Sequence, residues 1–246
     1  EHYFLWTGYA LAPIIFIGAM KGLGDHDVKT LVLTGLLWTV GSTSVHYTLF
    51  LGILIAGAFA YHVVGRSTWE QRASSLKSLS LLALVFLVSS MYWIVPYILS
   101  ILEGAGGPSS VLTVEVLDML SFNSDPFNVI RGVGYWWPRV DIVAHGGLEI
   151  VWEIVSLVVP VVAYAALVFR RDRLTLFLVG MALIFTFLSL GTNWPLGGIY
   201  VWLTFDSPFG FLGWVLRDPD KWSGPLFLIY SMLMVLTILG LTDRLK

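Results

Sequence analysis

The sequence contains no cysteine, which excludes disulfides, thiol nucleophiles and metal sites built on thiolates. Redox chemistry therefore says nothing about the compartments the chain faces. Charge is scarce as well. Only 12% of the 246 residues are Asp, Glu, Lys or Arg, about half the quarter or so typical of a soluble domain, so most of the outer surface does not face water. The 14 basic and 16 acidic residues leave a formal net charge of -2, which implies no nucleic acid as partner. The sequence also lacks a Walker A loop, a dinucleotide fingerprint, a His-Glu-x-x-His pair and a Gly-x-Ser-x-Gly elbow; Gly22-Leu23-Gly24 is too short for a phosphate loop. No long internal repeat is evident, which disfavours a transporter built from inverted repeats.

What the sequence has instead is apolar length. Hydrophobic residues make up 57% of the chain and the mean hydropathy is +0.81. A helix needs about 20 apolar residues to cross a hydrocarbon core of roughly 30 Å. Seven stretches approach that length, at about 4–20, 29–43, 45–64, 78–100, 148–169, 174–190 and 225–242. They predict an all-α polytopic transmembrane bundle, a single transmembrane domain over residues 1–246. The second stretch meets the third through Gly41-Ser42-Thr43-Ser44, which fits a tight hairpin or one broken helix. Pro13, Pro96 and Pro160 fall inside spans, where neighbouring helices re-satisfy the freed carbonyls. The chain opens at Glu1 with no initiator Met and no basic n-region, which leads us to expect the C-terminal part of a longer protein.

Lysine and arginine set the expected orientation, because they concentrate in short cytoplasmic loops. One set of alternate loops carries Lys21, Lys29, Arg66, Arg72, Lys77, Arg170, Arg171, Arg173, Arg244 and Lys246; the other carries only Arg131, Arg139, Arg217 and Lys221. The first set is read as cytoplasmic, and segments 101–147 and 191–224 as lying on the outer face.

These outer segments hold the chemistry. The first contains an amphipathic stretch from Val111 to Leu120, suited to an interface, then Asp125-Pro126-Phe127-Asn128, Arg131, and Trp136-Trp137-Pro138-Arg139. The second contains Asn193-Trp194-Pro195 and ends Leu216-Arg217-Asp218-Pro219-Asp220-Lys221-Trp222. Aromatic faces cover the C–H side of a sugar while planar polar groups bond its hydroxyls, and a guanidinium forks onto phosphate. Trp136, Trp137 and Trp194 are therefore candidate sugar contacts, beside Asp125, Arg131 and Arg139. The competing reading is anchoring, since Trp and Tyr collect at any membrane interface. For 216–222 it is a helix start, with Asp218 as N-cap, Pro219 at N1, and Arg217 and Lys221 snorkelling to headgroups.

The segment 216–222, just before the last apolar span, resembles the F-R-[DE]-P-x-K-[WF] signature of GT-C-like membrane glycosyltransferases and related archaeal and bacterial membrane proteins. That group includes archaeal proteins described as "6-pyruvoyl-tetrahydropterin synthase related". Arg217, Asp218, Pro219, Lys221 and Trp222 match, and Leu216 stands where the pattern has an aromatic. The resemblance implies transfer of a sugar from a polyprenyl-phosphate donor at the outer face of a prokaryotic plasma membrane. It makes Arg217 the contact for the donor phosphate, with Lys221 second, and places the catalytic base in a loop upstream of Glu1. Membrane lipid and the lipid-linked donor are the expected partners. A transporter or flippase, and a non-catalytic scaffold binding a partner through its Trp-rich loops, are the alternatives.

Other ionisable residues have simpler readings. His46 at the mouth of the third span is read as hydrated and His62 as interfacial; Asp25, His26 and Asp27 are read as a solvated turn. Glu149 and Glu153 share a helix face with His145 just upstream. Their donor types suit a divalent metal, but pairing with Arg131 or Arg139 is the favoured use, so no cofactor is assigned.

Overall fold

The computed structural model describes residues 2–102, 112–132, 149–208 and 213–245. The described residues form helices and no strands, and six of the helices are long and apolar enough to cross a membrane. The chain is an all-α integral membrane protein. It packs as two compact units, Glu1–Ser110 and Val111–Lys246, where the sequence suggests one domain.

The first unit contains α1 (His2–Asp25), α2 (Val28–Gly41), α3 (Val45–Val64) and α4 (Trp69–Leu102). The boundaries follow local chemistry. Asp27 caps α2, accepting from Lys29 N at 3.1 Å and from Thr30 Oγ1 at 2.5 Å, and Ser44 caps α3. Two capped helices, not one broken one, therefore meet at 41–44. At 14 residues α2 is only about 21 Å long at 1.5 Å per residue, short of a bilayer core. Its contacts nevertheless run along α1 from Gly22 back to Gly8. Near the α1–α2 turn a Cβ built on Gly22 would lie 2.9 Å from Leu31 Cδ2, and at the far end a Cβ on Gly41 would lie 2.9 Å from Leu51 Cδ1 and 3.4 Å from Ile15 Cδ1. The seven expected spans thus correspond to six long helices and a short one laid end to end beside its neighbours.

Small residues permit that approach. Gly18 faces Thr34 and Gly22 faces Leu31, a glycine pair four apart on one helix face, which lets two backbones close in hydrocarbon. Polar side chains bond across the gap: Ser90 Oγ of α4 donates to Thr39 Oγ1 of α2 at 3.2 Å. Trp38 stacks on Phe86 with centroids 3.9 Å apart. Ile15, Phe16, Ala19, Leu23, Leu51, Leu54 and Leu82 are buried.

The second unit contains α5 (Val114–Leu120), α6 (Pro126–Arg131), α7 (Glu149–Tyr164), α8 (Ala166–Phe169), α9 (Arg173–Leu190), α10 (Gly197–Phe205), α11 (Gly213–Leu216), a 3-10 turn (Pro219–Trp222) and α12 (Ser223–Leu245). Its core joins Leu178, Met181, Ala182 and Phe185 of α9 with Leu226, Ile229, Tyr230 and Leu233 of α12. Thr237 Oγ1 donates to Val162 O at 2.8 Å, tying α12 to α7. At the basic end Arg244 Nη2 donates to Val168 O at 2.6 Å, and Asp172 caps α9 through Thr175 N at 2.8 Å. That hydrogen bond, with those from Thr175 Oγ1 and Arg170, holds the Asp172 carboxyl below the ordinary carboxylate range.

Candidate functional site

The end of the second unit opposite its basic turns is assembled from short helices. Ser121, at the end of α5, is buried and fastens α5 to the end of α9: its Oγ accepts from Thr192 N at 3.2 Å, and its carbonyl accepts from Asn193 Nδ2 at 2.6 Å. Gly191 makes the junction possible. Its φ is +58, and a Cβ there would lie 2.9 Å from Pro219 Cγ and 3.0 Å from Ser121 Cβ. The 3-10 turn therefore sits directly against the mouth of α9.

Two of the sequence candidates converge on this turn. Asp218 is 5% exposed and binds both. Arg217 Nε donates to its Oδ1 at 3.1 Å and Arg217 Nη2 to its Oδ2 at 3.3 Å, while Lys221 Nζ also bonds Oδ2. Burial alone would push the Asp218 carboxyl up; the hydrogen bonds and charges of Arg217 and Lys221 outweigh it and leave the group below the ordinary carboxylate range. The Arg217 guanidinium lies 3.8 Å from the centroid of the Trp214 ring, a cation–π contact. Below the turn, buried Tyr200 donates its hydroxyl to Leu216 O, and Trp222 is 2% exposed. Asp220 Oδ1 is buried with no hydrogen-bond partner among the described residues.

The arrangement corrects the simple capping reading. Pro219 does stand at N1, but of a 3-10 turn, and Asp218 makes no side-chain cap bond. Its carboxylate is spent on the two cations. Arg217 is not fully spent in return: a guanidinium has five N–H donors, and Asp218 takes two of its nitrogens. With side chains 28% and 31% exposed, Arg217 and Lys221 are also within reach of an external acceptor.

The remaining candidates stand apart in their bonding. Asp125 caps α6, accepting from Phe127 N at 2.9 Å and Asn128 N at 3.1 Å. Arg131 lies 4.0 Å over the Phe127 ring, donates to Asn128 Oδ1 at 2.6 Å and reaches Ser156 Oγ of α7 at 3.4 Å. Both hold α6 in shape. Trp194 is 81% exposed. Trp136, Trp137, Arg139 and His145 lie outside the described residues, as does the side chain of Glu149. Among the described residues no group of three His, Asp or Glu is placed to hold a metal. Sequence reasoning missed Trp214, which its i, i−3 spacing from Arg217 could have flagged, and it missed the Ser121–Asn193 fastening, which joins residues 72 apart and leaves no local signal.

No family model matches the chain. No curated protein and no solved structure matches it either.

Proposed function

We propose that the chain forms part of a GT-C-like membrane glycosyltransferase that takes sugar from a polyprenyl-phosphate donor, with the 217–222 turn as the contact for the donor phosphate. The observation that carries this reading is the convergence of Arg217 and Lys221 on one buried carboxylate at the mouth of an apolar helix. A leaving polyprenyl phosphate develops negative charge close to the membrane surface, and donors fixed beforehand stabilise it without reorganisation. Asp218 and the Trp214 ring supply that fixing. Net charge does not argue for the site, since Asp218 and Asp220 cancel Arg217 and Lys221 formally; the argument is the spare donor capacity of Arg217. Asp220 Oδ1, buried and without a hydrogen-bond partner among the described residues, is an acceptor suited to a hydroxyl, because an unmade hydrogen bond there costs about 1–3 kcal/mol.

The ten-to-four split of lysine and arginine supports an orientation with the 217–222 turn on the non-cytoplasmic face of the membrane. The test is retention of a polyprenyl phosphate by the detergent-purified protein in native mass spectrometry. Wild type should retain the lipid selectively and Arg217→Ala should lose it at an unchanged yield of folded protein. Equal retention by both, or none by either, would overturn the phosphate role and favour a scaffold or transporter.

A further inference from the structure

The turn 25–27, read from sequence as solvated, is tied to the rest of the first unit through one histidine and one arginine. His26 closes α1 with φ 56, a left-handed residue. Its ring is held from both sides: Nε2 lies 2.8 Å from Arg66 Nη1, and Nδ1 lies 2.8 Å from Ser78 Oγ of α4. Arg66, just beyond α3, also donates to Leu23 O at 3.2 Å, Gly24 O at 3.1 Å, Gln71 O at 2.9 Å and Ser75 Oγ at 2.6 Å. One guanidinium thereby gathers the end of α1, the α3–α4 turn and the first turns of α4.

The chemistry fixes the protonation state. A guanidinium only donates, so His26 Nε2 must present its lone pair, and the single proton of the neutral ring sits on Nδ1, facing Ser78. Protonating Nε2 would set an imidazolium N–H against an arginine N–H and remove the contact outright.

We propose that the His26–Arg66–Ser78 junction is a proton-sensitive latch, which ties the α1–α2 turn to α4 while His26 is neutral and releases it on acidification. The groups facing His26 bear this out. From the α3–α4 turn comes the Arg66 charge, and from α3 comes His62, whose Nε2 lies 2.8 Å from Met20 O and whose ring is 3.0 Å from a Cβ built on Gly24. From α4 come the neutral hydroxyls of Ser75 and Ser78, with Arg72 turned to the Arg66 carbonyl at 3.1 Å. From its own turn come Asp25, and Asp27, which is spent on capping α2. Burial and Arg66 push the His26 ring below the ordinary histidine range, and Asp25 pulls weakly the other way. The open turn therefore binds the proton more readily than the closed one. Closure is complete above the ordinary histidine pKa of about 6.5 and weakens as pH falls toward the depressed value, by at most about tenfold per pH unit for one proton.

The absence of native cysteine makes the test clean. A Leu23→Cys reporter, buried when the latch is closed, is labelled with a maleimide in the purified 246-residue chain between about pH 7.5 and about pH 5, a range that brackets the histidine pKa. Its rate is divided by that of a Val64→Cys control, exposed throughout, which removes the thiol's own pH dependence. The ratio should rise on acidification and become flat in a His26→Asn background, since Asn tolerates a left-handed backbone and does not titrate. A flat ratio without the His26→Asn change, or the same rise with it, overturns the latch. Should the Asn variant fail to fold, nitrogen NMR of the histidines in the otherwise unchanged protein decides alone: His26 must titrate below about 6.5 with its neutral proton on Nδ1, and a higher value or the other tautomer refutes the proposal.

Discussion

Arg66 and Arg217 make an instructive pair, one in each unit. Arg66 meets neutral acceptors: two carbonyls at the end of α1, the Gln71 carbonyl, the Ser75 hydroxyl and the His26 ring. Its counter-charge is the negative end of the α1 dipole, and both of its terminal nitrogens are committed to acceptors. Arg217 meets a single carboxylate and a Trp face, with donors to spare. A guanidinium whose two terminal nitrogens are both committed to backbone and side-chain acceptors of its own unit belongs to the architecture. One held by a neighbouring acid and an aromatic ring, with donors left over, can still take a further acceptor.

The comparison is tested most severely at Arg66. Replacing it with Ala leaves the Leu23 and Gly24 carbonyls without their donor and should destabilise the first unit by about 3 kcal/mol or more, from the loss of several charge-assisted hydrogen bonds. The shift would be read as a lower unfolding temperature in detergent. Arg66→Lys should recover little, because a point charge does not reproduce the fork. If Arg66→Ala unfolds at the same temperature as wild type, the architectural reading of this residue fails.

Asp218→Asn should act in two directions. Removing the shared anion leaves Arg217 and Lys221 as neighbouring cations around a buried amide, costing about 2 kcal/mol of stability. The same change frees donors, so affinity for a polyprenyl phosphate should rise. Affinity falling in step with stability would mean the two cations serve only the fold. The pH dependence has a fixed sign. The Asp218 carboxyl is held below its ordinary value, so its contribution is fully present above about pH 4 and is lost as pH falls through the folded value.

How much of this was legible in the sequence divides along the same line. Long apolar runs are additive signals, and the expected spans 45–64 and 174–190 match α3 (Val45–Val64) and α9 (Arg173–Leu190) within a residue. The break at 41–44 was also visible, because Gly and Ser there supply an exit and a cap. Arg217 and Lys221 could be singled out by the motif they share, yet the use of Asp218 could not: an Asp before a Pro reads as an N-cap, and only the folded contacts show that the carboxylate turns to the cations instead. The 25–27 turn was legible only in part: Asp25 is exposed, as a solvated turn requires, but the tie at His26 was not foreseen. Asp-His-Asp is a polar triplet of the kind that normally faces water, and nothing near it in sequence announces Arg66, 40 residues away. Pairings between loops at one end of a bundle are set by helix length and direction, and local patterning does not record them.

A smaller effect is expected at the basic end of the second unit. Asp172 caps α9 and pairs with Arg170 at 2.9 Å, but both side chains are more than a third exposed, so the ion pair itself contributes little. Asp172→Ala should cost about 1 kcal/mol through the lost cap, and Asp172→Asn, which keeps a capping oxygen, distinctly less. Equal losses in the two variants would move the weight from the cap to the charge. This end would then resemble the 217–222 turn, where charge does the holding.

The smallest stability change is expected at Trp194, and it separates fold from function most directly. At 81% exposure its ring contributes almost nothing to packing, so Trp194→Ala should alter the unfolding temperature by an amount within about 0.5 kcal/mol of neutral. A lipid-interface anchor and a sugar platform both predict that silence, and they diverge in what else changes. An anchor tolerates Tyr or Phe, since either ring sits at the headgroup level. A platform that covers a pyranose face also tolerates them, but fails with Leu, which has comparable hydrophobicity and no flat surface. Retention of a sugar-bearing polyprenyl phosphate by Trp194→Phe and Trp194→Leu, measured beside the sugar-free lipid, distinguishes the two. Loss confined to the Leu variant and to the glycosylated lipid assigns Trp194 to the sugar; equal retention of both lipids by both variants leaves it an anchor.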